Sequence, residues 1–142
     1  MAIARGSAVI AMFAGLALGL AAPASAVADL DGHYTATETY PDGHSMNSDW
    51  YFTPCEGVGC STVASQPGGQ EIGQALLMDG QWKMLGHRGC EDGSGVPDAM
   101  NVLYEWDPAS LAGNVVLTTT DPVCGHPSGY QETHNLQLTQ AS

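Results

Sequence analysis

From residue 33 onward, apolar and polar positions alternate in short runs separated by turn-forming residues. HYTATETY (33–40) puts Tyr34, Ala36, Glu38 and Tyr40 on one face and Thr35, Thr37 and Thr39 on the other. That period of two is a half-buried strand, and a threonine row suits its solvated side. WYFT (50–53) reads as a short aromatic strand ended by Pro54, and CSTVAS (60–65) as another strand ended by QPGG (66–69). IGQALLM and QWKML flank Asp79-Gly80, a strong two-residue hairpin turn, within 71–88. MNVLYEW (100–106) aligns Val102, Tyr104 and Trp106. LAGNVVLTTT (111–120) is β-branched, and THNLQLTQ (133–140) aligns Leu136 with Leu138.

The intervening segments PDGHSMNSD (41–49), EDGSGVPD (91–98) and DPVCGHPSG (121–129) carry turn and loop chemistry. DPASLAG (107–113) can form one helical turn, with Asp107 as cap and Pro108 in the first turn. No window shows a convincing amphipathic helix. About eight short strands predict an all-β domain, a small antiparallel sandwich or barrel.

The N-terminal segment changes the compartment. Arg5 is the only charge before position 29. The apolar run AVIAMFAGLALGLAA (8–22) is followed by Pro23 and by Ala24-Ser25-Ala26. That is a secretory signal peptide with an A-x-A cleavage site, and the run is shorter than a spanning helix needs. The expected division is a cleaved signal at 1–26 and one β domain at 27–142. Removing 26 of the 142 residues leaves 116, enough for one modest core. No second apolar run reaches spanning length, so no membrane span is expected after cleavage.

In an exported chain an even number of cysteines reads as a disulfide framework. Cys55, Cys60, Cys90 and Cys124 allow three pairings, of which Cys55–Cys60 and Cys90–Cys124 are preferred here. In Cys55-Glu56-Gly57-Val58-Gly59-Cys60 the two glycines let a short loop turn back on itself. A redox pair would favour C-x-x-C ahead of a helix. A four-cysteine zinc site would favour two close pairs, and Cys90 and Cys124 lie far apart.

Charge excludes further classes. The chain has 3 basic and 15 acidic residues, and removing Arg5 with the signal leaves 2 against 15, a net −13. Nucleic acid is excluded as a partner, because phosphate contacts need clustered Lys and Arg. Anionic membrane surfaces are opposed for the same reason.

No catalytic motif stands out. Gly93-Ser94-Gly95 lacks the full G-x-S-x-G frame, and Ser128 sits in a plain loop. His33, His44, His87, His126 and His134 form no H-E-x-x-H or H-x-H pattern. Asp29 and Asp31 resemble the start of a calcium loop whose further ligands are missing. No cofactor or metal is expected. Trp50, Trp82, Tyr104 and Trp106 lie in strand segments, either as core or as ligand-binding anchors lining a cavity.

WYFTPCEGVGC (50–60), DGQWKM (79–84), YEWDPASLAG (104–113) and VCGHPSG (123–129) together resemble small exported, mostly uncharacterised proteins of mycobacteria and related actinobacteria. The resemblance spans nearly the whole mature chain. It implies secretion and paired cysteines and supplies no active site. The expected function is a secreted, non-catalytic binding or interaction module for a small molecule or a protein, free or wall-associated. A small secreted hydrolase and a structural envelope protein are the alternatives.

Overall fold

The computed structural model describes residues 29–90 and 95–141; the expected signal segment and Ser94 lie outside them. Eight strands run in chain order: β1 Gly32–Thr39, β2 Ser45–Pro54, β3 Cys60–Ala64, β4 Glu71–Met78, β5 Gln81–Arg88, β6 Met100–Trp106, β7 Ala112–Thr118 and β8 Gln131–Gln140. Each pairs antiparallel with the next, and β8 returns to β1 to close the barrel. Closure settles the choice between sandwich and barrel. Among the described residues no helix is long and apolar enough to cross a membrane.

The expected faces hold. Tyr34 and Ala36 are buried on the inner side of β1, Val102 and Trp106 on β6, and Leu136 and Leu138 on β8. Asp79 and Gly80 both take positive φ, 52° and 76°, which a tight hairpin between β4 and β5 requires. Asp107 accepts hydrogen bonds from the backbone N–H groups of Ser110 and Ala109, both at 2.8 Å, so its capping role holds in the turn before β7. Those two bonds hold its carboxyl below the usual range.

One boundary differs. The segment 41–49, read as turn chemistry, turns only at its start, and β2 begins at Ser45. Residues 45–49 are all exposed, so no apolar alternation marks them. Their pairing comes from β1 instead, with Thr37 Oγ1 donating to Asn47 at 2.9 Å and Thr39 and Ser45 hydroxyls 3.0 Å apart.

Both disulfides are formed as expected, Cys55–Cys60 and Cys90–Cys124, with Cα separations of 5.2 and 5.3 Å. The short bridge lies on the outside of β3, where Gln74 of β4 reaches the Cys60 sulfur at 3.2 Å. The long bridge joins the loop after β5 to the loop before β8.

The interior has two unlike ends. One end, the floor, is aromatic. Trp50, Phe52, Trp82 and Trp106 are buried there, with Trp82 and Trp106 opposite one another on β5 and β6. Trp50 packs at 6.0 Å from Trp106 and Phe52 at 6.2 Å from it, centroid to centroid. Leu30 closes this end, its carbonyl accepting from the buried Ser61 hydroxyl at 2.8 Å. Gly113 fits here because its backbone crosses β6 closely: a Cβ would lie 1.8 Å from the Glu105 carbonyl oxygen. An eight-stranded barrel is just wide enough for side chains to fill, and these rings pack against one another inside it.

Candidate functional site

The opposite end, the mouth, is built from the last residues of β1 and β5 and the first residues of β6 and β8. Glu38, Arg88 and His134 each continue the inward phase of an otherwise apolar strand: Tyr34 and Ala36 before Glu38, Trp82 and Met84 before Arg88, Leu136 and Leu138 after His134. Alternation therefore carries charge into the lumen. Burying such groups is costly unless they are paired, and here they pair with one another.

Arg88 forms a two-pronged contact with Glu38, Nη1 donating to Oε1 at 2.8 Å and Nη2 to Oε2 at 2.9 Å. Nη2 also donates to the Tyr104 hydroxyl at 3.1 Å. Planar guanidinium suits this geometry, which a lysine could not reproduce. His134 is buried between two carboxylates: Nδ1 meets Glu38 Oε1, and Nε2 meets Glu132 Oε1 at 2.6 Å. Both ring nitrogens therefore face carboxylate oxygens, one on β1 and one on β8. Tyr40 lies against the His134 ring at 4.0 Å, and the Tyr130 hydroxyl donates to Glu132 at 3.2 Å.

Burial alone would raise the Glu38 carboxyl, but hydrogen bonds from Arg88 and His134 outweigh it and hold the group below the usual range. Glu132 is lowered mainly by its hydrogen bond to His134. Arg88 is held firmly charged: burial acts against the cation, and the Glu38 carboxylate overrides it.

Of the four aromatic candidates, three are deep in the core. Trp50, Trp82 and Trp106 are buried at the floor, and the Trp106 Nε1–H has no hydrogen-bond partner among the described residues. Tyr104 joins the two ends, its ring 5.2 Å from Trp50 and its hydroxyl in the mouth cluster. Ser128 donates to the Thr120 carbonyl at 2.6 Å. His33 bonds Asp49 at 2.9 Å, and His126 stacks on Tyr130 at 3.8 Å.

Sequence reasoning did not assemble Glu38, Arg88, Glu132 and His134. Their signal was present: ionisable residues in phase with the buried face of a strand.

The chain matches no family model, no curated protein and no solved structure.

Proposed function

We propose that this protein is an exported, non-catalytic binding module whose partner is a small molecule or another protein. The observation that carries the reading is His134. Both of its ring nitrogens are engaged by carboxylates, so the one deeply buried histidine among the described residues holds charges together and activates no nucleophile. Two disulfides fit an oxidising compartment. A closed barrel braced in this way gives a rigid display surface, which favours recognition because little entropy is lost on binding.

Export is tested by N-terminal sequencing of protein from the culture medium, which should begin at Val27. Chains that retain residues 1–26 would contradict it. The binding reading is tested by native mass spectrometry of protein secreted by its own host, together with an ester, peptide and glycoside panel. A co-purifying species and no turnover are expected. Turnover abolished by His134→Asn in a variant that still folds would replace the reading with a small secreted hydrolase.

A further inference from the structure

The outer face of the β4–β5 hairpin breaks the polar pattern of the barrel surface. Ile72, Leu76 and Met78 point outward from β4 and Leu85 from β5, and all four are exposed, Leu85 at 73%. They line two adjoining grooves that share Leu85. One, of about 620 Å³, runs past Ile72, His87, Asp98 and Asn101, and the other, of about 290 Å³, past Gln74, Leu76, Met78 and Lys83. Val58, 91% exposed, stands in the loop just before β3, the strand that pairs with β4. The Cys55–Cys60 bridge closes its loop, and the loop is tied to β4 by Leu77 N–H donating to the Gly59 carbonyl at 2.9 Å. Contiguous exposed apolar surface of this kind marks interaction sites on soluble proteins.

The surroundings define the partner. Asp98 lines the larger groove, and the exposed Glu71 and Asp79 flank Ile72 and Met78 in the chain, with Glu56 in the disulfide loop. The one lysine within it, Lys83, is already matched by Glu105 at 3.3 Å. A second copy of so acidic a chain would bring like charge against like. We infer that the outer face of β4–β5, with the disulfide-held Val58 loop, is a docking surface for a cationic amphipathic peptide segment of another protein: an apolar face for Ile72, Leu76, Met78 and Leu85, and lysine or arginine for the acidic border. The inference rests on the binding-module reading and names its surface. Apolar contact provides the attachment, while complementary charge selects and steers the partner.

The probe is a short end-blocked peptide alternating lysine and leucine, with a glutamate–leucine peptide as control. Binding is followed by amide chemical shifts of the full mature protein. The lysine peptide should shift β4, β5 and the 55–60 loop, and the control should not. Affinity should fall roughly tenfold or more from low salt to 1 M, where screening is short-ranged. Leu85→Ser with Ile72→Ser, both outward-facing, should weaken binding at least tenfold without changing the melting temperature materially. Shifts at another face, or equal binding of the two peptides, would overturn the docking surface and leave the binding-module reading standing. Concentration-dependent dimerisation of the free protein, lost in the same double variant, would instead assign the strip to a second copy and overturn the cationic partner. Hydrolysis of the substrate panel is the separate result that would remove the binding-module reading itself.

Discussion

The two ends of the barrel interior are held together by different physics. At the floor, Trp50, Phe52, Trp82 and Trp106 meet ring against ring and Leu30 closes the end, so cohesion comes from burial and shape. At the mouth, Glu38, Arg88, Glu132 and His134 occupy equivalent inward positions, and cohesion comes from charge-assisted hydrogen bonds. Burial is insensitive to pH and costs little in specificity. A charge network is worth less in net stability, yet it becomes a liability once one member is removed. Tyr104 belongs to both regions, which makes it the coupling element between them.

The largest loss of stability is expected at the floor. Trp82→Ala should cost about 4 kcal/mol in denaturant unfolding, the usual range for emptying a buried aromatic site. A loss below about 1 kcal/mol would mean that the floor is not the main source of stability. The bridges come next. On the chain-entropy model Cys90→Ser, which opens the long loop bracing the mouth, should cost about 4 kcal/mol as an upper figure, and Cys60→Ser about 2 kcal/mol. Melting temperatures in the reverse order would contradict the loop-length account. At the mouth, Glu38→Gln should cost about 3 kcal/mol, because Arg88 and His134 would lose their shared carboxylate while still buried. The smallest effect is expected at Trp106→Phe. Deleting an indole N–H that has no partner offsets the lost ring area, so stability should stay within about 1 kcal/mol of the parent.

The contrast also explains what could be read in advance. Strand faces were legible because each strand covers one solvated and one buried side, and the period of two records that directly in Tyr34, Ala36, Val102, Trp106, Leu136 and Leu138. The Asp79-Gly80 turn and the two bridges were legible because they depend on local backbone freedom and cysteine count. Barrel closure was not, because the β1–β8 pairing joins residues such as Ala36 and Leu138 with no local signal. The same distance hid the mouth: Glu38 lies 50 residues from Arg88 and 96 from His134. Their type was visible, and their meeting depended on closure. The tryptophans were visible as aromatic positions, but a strand pattern does not distinguish a ring that fills a lumen from one that lines it.

If Arg88 and His134 hold the mouth carboxylates ionised, the acid limb of the stability curve must record it. Glu38 and Glu132 are both lowered in the folded protein, so the stability they contribute is fully present above the unfolded carboxylate value of about 4.3 and is lost as pH falls through their folded values. The measurement is unfolding free energy against pH, from about 6 down to about 2.5, for the parent and for Glu38→Gln. The parent curve should fall steeply below about pH 4, and the variant curve should start lower and fall less, so that the two converge in acid. Parallel curves with a constant gap across that range would show that Glu38 is not held as a carboxylate by Arg88 and His134.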